Sequence, residues 1–256
     1  MSGLILLAGG AMGGRGGTTS GSGGAVGGRG GTTSASGGAG GTSSEKILSI
    51  DFGVGGEGAP AMASTETAGV KPARRWNGAV GASGTLSTTL DFADGSAATG
   101  VMVTWSSPAP PAPNTGIYSV GLTDTTGDGH MMDGYLDPGM APGYNATVTV
   151  SGLRAPGVTG AYDVYVYFMA ELPTRVTRSH KLTIGTKSFT VSQTGASPTK
   201  FTAHTKAADM GTTGDYVVFT NVTGASFTLT SDSVSASDGA MRAPVNGIQI
   251  VWPSGS

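Results

Sequence analysis

The seven residues YDVYVYF, at positions 162–168, alternate between two sets of side chains. A β-strand places successive side chains on opposite faces, so an alternation with a period of two indicates a strand with one buried face. The first set, which should point into a core, is Tyr162, Val164, Val166 and Phe168. The second set, Asp163, Tyr165 and Tyr167, should lie on the opposite face.

The same alternation recurs in nine further runs, separated by Gly, Pro, Asn and Asp. They lie at 46–52, 85–92, 100–105, 146–150, 180–184, 187–191, 216–222, 226–230 and 246–252. No amphipathic helix of three or more turns is visible. About ten strands with turn signals between them predict an all-β fold, a jelly-roll β-sandwich. The predicted inward-facing residues are Leu48, Ile50, Phe52, Val101, Val103, Trp105, Phe227, Leu229, Ile248, Ile250 and Trp252.

Three short turns predict β-hairpins. Gly185–Thr186 separates two alternating runs by two residues, which is the spacing of a tight hairpin. Asp94–Gly95 separates the runs at 85–92 and 100–105, and Thr223–Gly224 separates those at 216–222 and 226–230.

The composition changes at Glu45. Residues 1–44 are rich in Gly, Ser and Thr, and GGAMGGRGGTTS at 9–20 recurs as GGAVGGRGGTTS at 23–34. Such a segment cannot bury enough apolar area to fold alone, so we expect a flexible tether, with ordering in an assembly as the alternative. The short apolar run within residues 1–12 resembles a truncated export signal or a plain tail. Residues 45–256 are predicted to form the β-sandwich domain.

Charge and cysteine content narrow the function classes. Charged residues make up 12% of the 256 residues, and the formal net charge is −2, which gives no electrostatic reason to expect nucleic acid as a partner. No cysteine is present, which excludes thiolate nucleophiles and disulfides. No segment is long and apolar enough for a transmembrane helix. A lightly charged surface rich in Ser and Thr favours a secreted or cell-surface location.

Two stretches carry a family resemblance. KILSIDFGVGGEG begins the domain and APVNGIQIVW ends it; together they resemble the galactose-binding-like β-sandwiches, which include malectin-like domains and carbohydrate-binding modules. AGVKPARRWN at 68–77 and the segment 133–168 resemble a domain of secreted bacterial polysaccharide-associated proteins. The resemblance implies a jelly roll and glycan binding. It also implies a structural calcium in some members, and no other cofactor is expected.

The stretch GDGHMMDGYLDPG, at 127–139, concentrates candidate catalytic groups. Asp124, Asp128, Asp133 and Asp137 lie close together, and paired carboxylates can cleave glycosidic bonds. Asp next to Gly is also what turns use for local hydrogen bonds. We therefore expect successive turns here, with ligand binding and catalysis as alternatives. Met131, Met132 and Leu136 should anchor the stretch in the core.

No G-x-S-x-G motif of a serine hydrolase occurs in the chain. Besides His130, the chain has two histidines, His180 and His204, and both are expected at the surface.

Sugar binding usually combines an aromatic face with fixed polar groups. The candidate ligand-binding residues are Trp76, Asn77, Asn114, Asp128, His130, Tyr135, Tyr165 and Tyr167. For Trp76 the alternative is a side chain that packs a long loop onto the sandwich. For Tyr165 and Tyr167 it is a position beneath a covering loop.

Asp51 is the candidate metal ligand. It alternates away from Ile50 and Phe52 in a strand that is otherwise suited to burial. It could bind calcium together with loop carbonyls, or form a hydrogen bond to backbone at the edge of the domain.

The sequence thus predicts an extracellular, non-catalytic carbohydrate-binding module whose partner is a polysaccharide or other glycan. The first alternative is a structural or adhesive surface protein that self-associates through the sandwich and the Gly-rich segment. The second is a polysaccharide-cleaving enzyme.

Overall fold

The computed structural model describes residues 45–56, 59–88, 90–108, 115–139, 143–154, 160–207 and 214–253. The Gly-rich segment and Asn114 lie outside these ranges. The described elements are β1 Lys46–Val54, β2 Asn77–Val80, β3 Ser83–Leu86, β4 Met102–Ser106, β5 Ile117–Ser119, α1 Gly127–Asp133, β6 Gly134–Leu136, β7 Asn145–Ser151, β8 Tyr162–Tyr167, β9 Thr177–Ile184, β10 Lys187–Thr194, β11 Tyr216–Val222, β12 Ser226–Ala236 and β13 Gly247–Trp252.

The strands form two large sheets and one small one. The five-stranded sheet has the order β11-β8-β13-β1-β2, and the six-stranded sheet has the order β10-β9-β12-β7-β4-β3. Strands β5 and β6 form a separate pair. All the large-sheet pairings are antiparallel except β1 with β2. The predicted all-β sandwich is confirmed.

The core lies between the two large sheets. Every residue predicted to face inward is buried, with at most 6% of its surface exposed. Phe52 of the first sheet contacts Trp105 of the second edge to face, with ring centroids 6.3 Å apart, a geometry that adds to the hydrophobic gain of burial. His180 also lies in this core, 1% exposed and edge-on to Phe168 at 4.8 Å. The expectation of a surface histidine was wrong, because residue 180 lies two residues before Leu182 in β9 and therefore points to the same, inward face.

The three predicted turns have different outcomes. Gly185–Thr186 joins β9 to β10 as a hairpin with Ile184 opposite Lys187, as predicted. The Asp94–Gly95 turn closes a local bridge between Asp91 and Ala97. The two runs that it separates do pair antiparallel, Thr85 with Thr104 and Leu86 with Val103, but through a longer connection than a tight hairpin. The Thr223–Gly224 hairpin was wrong, since β11 pairs with β8 in one sheet and β12 pairs with β7 and β9 in the other. Phe219 and Phe227 face the same core from opposite sheets. Alternation in the sequence is the same for this arrangement as for a hairpin within one sheet, so it cannot distinguish the two.

The stretch 127–139 forms a short helix and a strand rather than successive turns. Thr126 caps α1 by accepting a hydrogen bond from the Gly129 amide at 3.1 Å, the usual role of an N-cap threonine. Met131 and Met132 are fully buried, as is Leu136 in β6, so the three predicted anchors are confirmed. Turn-type bonding also occurs, since Asp124 accepts from the Thr126 amide.

Strand β6 lies directly against β1, and Gly53 makes this approach possible. Its φ is +76°, and a Cβ atom there would lie 2.1 Å from the backbone nitrogen of Tyr135. Only glycine fits this contact. No helix within the described ranges has the length and apolarity needed to cross a membrane.

Candidate functional site

The outer face of the five-stranded sheet has a covered half and an open half. The covered half, over β1, β13 and the end of β8, carries a second hydrophobic cluster that includes Trp76, Met131, Met132, Tyr135 and Tyr167. The segment 59–76 and helix α1 lie over it. The open half faces the edge strand β11.

Trp76 and Tyr167 belong to the covered half. Trp76 is 6% exposed, its indole Nε1 donates to the carbonyl of Ala73 at 3.1 Å, and its ring meets Tyr167 edge to face at 6.0 Å. Tyr167 is fully buried. Neither ring offers a face to a ligand, so the prediction that they bind sugar is corrected. The alternatives stated for both residues, loop packing and a covering loop, describe the structure.

A hydrogen-bond network fixes the covering segment to the sheet. The Tyr167 hydroxyl accepts from the Val70 amide at 2.9 Å and donates to Oε1 of Gln249 at 2.5 Å. Nε2 of Gln249 donates to the Lys71 carbonyl at 2.8 Å. Gly69 has a φ of +90°, and a Cβ atom there would lie 2.5 Å from Oε1 of Gln249. The buried polar groups are satisfied only while the segment stays in this position.

His204 joins helix α1 to the start of β11. Its Nε2 lies 3.1 Å from Oδ1 of Asp128, and its Nδ1 lies 3.1 Å from Oδ1 of Asp215. The imidazole ring is also 5.0 Å from the Tyr167 ring. Because its side chain is only 10% exposed, the expectation of a surface histidine was wrong here too. The two carboxylates that enclose the ring are 76 and 11 residues away in sequence, beyond the reach of a local pattern.

The two carboxylates keep His204 charged. Burial alone would lower its pKa, but the hydrogen bonds and charges of Asp128 and Asp215 outweigh burial and raise the pKa of His204 to about 9. Burial likewise opposes ionisation of Asp128, yet His204 and the Gly69 amide hold the pKa of Asp128 below its ordinary value. At neutral pH the group is therefore an imidazolium between carboxylates.

The open half carries two partly buried tyrosines. Tyr165 of β8 and Tyr216 of β11 pack against the second hydrophobic cluster, and their rings are stacked with centroids 6.3 Å apart and planes at 23°. We call these two residues the tyrosine platform. Burial raises the pKa of each hydroxyl above its ordinary value, so both are neutral at physiological pH.

Tyr165 was a predicted binding residue, whereas Tyr216 was missed. The signal for Tyr216 was present in the sequence. The run at 216–222 alternates, so Tyr216 lies on the outer face while Val217 and Phe219 are buried. What the run could not show is that β11 pairs with β8, placing Tyr216 opposite Tyr167 and beside Tyr165.

Charged and polar groups surround the tyrosine platform. Lys71 lies close enough to affect the ionisation of Tyr165 and is paired with Glu45 at 2.6 Å. Asp163, two residues from Tyr165 on the same face, accepts from the Asn221 amide at 2.9 Å. The imidazole of His204 is edge-on to Tyr216 at 6.1 Å. The platform is thus an aromatic surface with hydrogen-bonding groups at its margin.

The other candidate residues have structural contacts. Asn77 donates to the carbonyls of Ser49 and Asp91 at 2.9 and 3.0 Å and accepts from the Asp91 amide at 2.9 Å. These bonds join β2 to its neighbours. His130 contacts Glu66 at 2.7 Å.

Tyr135 is fully buried, and Asp128 is held by His204 and Gly69. The prediction that Tyr135 binds a ligand is corrected, because its ring is buried. Ligand binding by Asn77, Asp128 and His130, whose side chains also bond within the protein, stays a prediction. Asn114, also predicted, lies outside the described residues.

Asp51 is 1% exposed and lies among Met62, Glu66 and Asp133. Burial raises its pKa well above the ordinary value, although a backbone hydrogen bond from Met62 opposes this. Within the ranges that the structure describes, no three His, Asp or Glu side chains converge as metal ligands. The backbone contact agrees with the alternative stated for Asp51, a hydrogen bond to backbone, whereas its buried Oδ2 has no hydrogen-bond partner. A metal-ligand role of Asp51 stays a prediction.

Comparison with known proteins adds little beyond the architecture. No protein-family model and no curated protein matches the chain. Among solved structures, it is similar to an exo-β-1,3-galactanase from Phanerochaete chrysosporium, crystallised with galactose, at 19% identity and a TM-score of 0.28. The similarity covers 53% of this chain and 29% of that one, so this chain spans less than a third of the galactanase. The all-β sandwich is compatible with the carbohydrate-binding sandwiches that its first and last strands resemble.

Proposed function

We propose that residues 45–256 form an extracellular, non-catalytic carbohydrate-binding module and that the tyrosine platform stacks on sugar rings. The observation that carries the proposal is the pair of partly buried, stacked rings of Tyr165 and Tyr216 on one face of the sheet. An accessible part of an aromatic ring favours the apolar face of a pyranose, and nearby polar groups can then bind its hydroxyls.

Preorganisation supports the same proposal. Both tyrosines lie on paired strands, and Tyr216 also contacts Tyr167 at 6.0 Å and His204 at 6.1 Å. Rings held by a sheet lose little conformational entropy when a ligand binds, which improves affinity at a given contact area. Lys71 and Asp163 provide a donor and an acceptor beside the rings.

The state of the two carboxylates beside His204 supports a non-catalytic role. A glycosidase needs two carboxyl groups that face the scissile bond, one of them holding a proton. Near the platform, Asp128 and Asp215 instead bind opposite sides of one charged imidazole. Both are thereby engaged in an internal ion cluster.

The test is a polysaccharide and glycan-array screen of the wild type with Tyr165→Ala and Tyr216→Ala. We expect binding that each variant weakens by about tenfold or more, since a lost aromatic contact of about 1.5 kcal/mol corresponds to that factor. Tyr165→Phe and Tyr216→Phe should retain most of the affinity because they keep the stacking ring. Tyr144→Ala, at a half-exposed tyrosine beside β7, is the matched control.

Two results would count against the proposal. Binding that survives both alanine variants would place the glycan elsewhere, and no binding to any glycan would remove the function. Release of reducing sugars from a bound polysaccharide would replace the non-catalytic module with an enzyme.

A further inference from the structure

Each of the two large sheets ends in two edge strands: β11 and β2 in one, β10 and β3 in the other. An edge strand exposes unpaired backbone groups that a further strand can bind, so native proteins keep edges short, bulged, charged or covered. Strands β2 and β3 are four residues long each. These two edges are therefore too short to bind another strand firmly.

Strand β11 is protected by its shape and by a neighbouring segment. A bulge between Phe219 and Val222 interrupts its pairing with β8, and Asn221 within it has a φ of 54°. At the start of the strand the amide of Ala207 donates to the carbonyl of Tyr216 at 2.8 Å. This edge is thus irregular at one end and partly covered at the other.

Strand β10 has none of these protections. It is eight residues long and pairs with β9 over its whole length without a shift of register. Residues 188–194 contain no charged residue and no proline. Lys187 is the one charged residue of the strand, and its Nζ donates to the carbonyl of Thr220 at 2.6 Å, towards the opposite sheet. A long, regular, uncharged edge of this kind is suited to pairing with another strand.

The turn at 185–186 determines which backbone groups of β10 are free. In a two-residue hairpin the flanking residues, Ile184 and Lys187, exchange both backbone hydrogen bonds, and hydrogen-bonded pairs then alternate along the ladder. The N–H and C=O groups that point away from β9 therefore belong to Ser188, Thr190, Ser192 and Thr194. Within the part of the chain that the structure describes, no residue forms a hydrogen bond to these backbone groups. We call this row of four residues the β10 edge.

The core holds the β10 edge in place. Val191 is fully buried, and Phe189 meets Phe219 of the opposite sheet edge to face at 4.9 Å. The backbone of β10 is therefore fixed before a partner binds, which lowers the conformational entropy lost on association.

We propose that the β10 edge pairs antiparallel with the β10 edge of a second copy of this chain. Such a dimer has two-fold symmetry and joins two six-stranded sheets into one continuous sheet. In the register that uses all four residues, Ser188 lies opposite Thr194 of the copy and Thr190 lies opposite Ser192. The symmetry axis then passes beside Val191, and each free N–H and C=O of the edge gains a partner.

The side chains of the β10 edge favour its own copy as the partner. This register places hydroxyl opposite hydroxyl, and cross-strand pairs of Ser and Thr stabilise antiparallel strands. The same sheet already contains such pairs, since Ser192 bonds to Ser179 at 2.7 Å and Thr194 bonds to Thr177 at 3.0 Å. A hydroxyl donates one hydrogen bond and accepts two, so the hydroxyls of the copy extend these pairs.

No like charges meet across this pairing. Each Lys187 lies beyond the ladder, opposite Gly195 of the copy, and the two lysines are about 27 Å apart along the strands, well beyond the screening length of about 8 Å. Lys181, one strand inward, lies opposite Asp232 of β12. A foreign peptide would need a pocket or a charge for specificity, and residues 188–194 provide no charge. Dimerisation through this edge is independent of the proposed glycan binding, because the tyrosine platform lies on the other sheet.

The first experiment measures the mass of the full chain by analytical ultracentrifugation over about 1 µM to 1 mM, a range that covers weak and moderate affinities. Wild type should approach twice the 25.2 kDa of one chain as its concentration rises. Thr190→Pro removes an N–H that points away from β9, which an edge strand tolerates. Because symmetry removes two hydrogen bonds between the copies, the dissociation constant should rise about tenfold or more.

Thr85→Pro is the matched control. The Ser107 amide donates to the Ala82 carbonyl, so alternate pairing directs the N–H of Thr85 away from β4, at the other edge of the same sheet. This variant should dimerise like wild type. Circular dichroism checks that both proline variants are folded.

A second experiment tests the register by cysteine cross-linking, since the chain itself contains no cysteine. Thr190→Cys mixed with Ser192→Cys should form a disulfide-linked dimer, because directly opposite residues lie at the Cα distance of about 5.5 Å that disulfides prefer. Either variant alone should cross-link much less, because its two cysteines are diagonal neighbours about 7–8 Å apart.

Wild type that remains monomeric over the whole concentration range would overturn the proposal. So would a dimer that a folded Thr190→Pro variant does not weaken, since the contact would then lie elsewhere. Equal cross-linking by the mixture and by each cysteine variant alone would also contradict the pairing of the two β10 edges. Tyr165→Ala should dimerise like wild type, which separates this result from the glycan test.

Discussion

The charged His204 should make the stability of the protein depend on pH in a specific window. The pKa of His204 in the folded protein is about 9, against about 6.5 in an unfolded chain. The folded state therefore binds a proton more tightly than the unfolded state. The resulting stability is complete below pH 6.5 and is lost as the pH rises through 9.

The magnitude follows from the two pKa values. Their difference corresponds to about 3 kcal/mol at full strength. The Asp128 side chain is 39% exposed, and solvent weakens its attraction for the imidazolium, so we expect about 2 kcal/mol. The free energy of unfolding of the wild type should fall by this amount between pH 6 and pH 10.

The assay is urea denaturation of wild type, His204→Gln and Asp215→Asn at several pH values across that window. Glutamine keeps one hydrogen-bonding side chain but cannot be protonated, so His204→Gln should lose the pH-dependent component. Asp215→Asn removes one of the two carboxylates and should move the decline towards lower pH. If His204→Gln loses as much stability as the wild type between pH 6 and pH 10, the reasoning is refuted.

Substitutions at three further residues test the covered half and its border. Gly69→Ala should destabilise the fold by about 3 kcal/mol in urea denaturation, since the φ of residue 69 is +90° and a Cβ atom there would clash with Gln249. An unchanged denaturation midpoint would contradict the position of the segment 59–76 on the sheet. Asn77→Ala should cost about 2 kcal/mol by thermal or chemical denaturation, because it leaves the Asp91 amide and two carbonyls without their partner, whereas Asn77→Asp should restore at most the bond to the amide. Trp76→Ala should cost about 3–5 kcal/mol through lost burial, yet leave glycan affinity unchanged where the variant is folded; a selective loss of affinity without loss of stability would restore Trp76 as a binding residue.

Much of the fold was predictable because a strand with one buried face produces a period-two alternation within a short stretch of sequence. In the runs at 162–168 and 246–252, alternate side chains face the core, and burial of one face is encoded every second residue. The short strands β2, β5 and β6 were missed, since three or four residues are too few to show alternation. Helix α1 was missed because it is only seven residues long and four of them are glycine or aspartate, which have weak helix preference.

The sequence by itself determined the all-β class, the inward faces of the strands and the anchoring of Met131 and Met132, because each depends on periodicity or hydrophobicity within a short window. Only the tertiary structure decided which polar and aromatic groups meet. It packed Trp76 of the covering segment onto Tyr167, which is distant in sequence, and it enclosed His204 between two carboxylates. It also put β11 beside β8, which forms the tyrosine platform. The physical reason is that alternation assigns a side chain to a face, whereas strand order and register decide its neighbours.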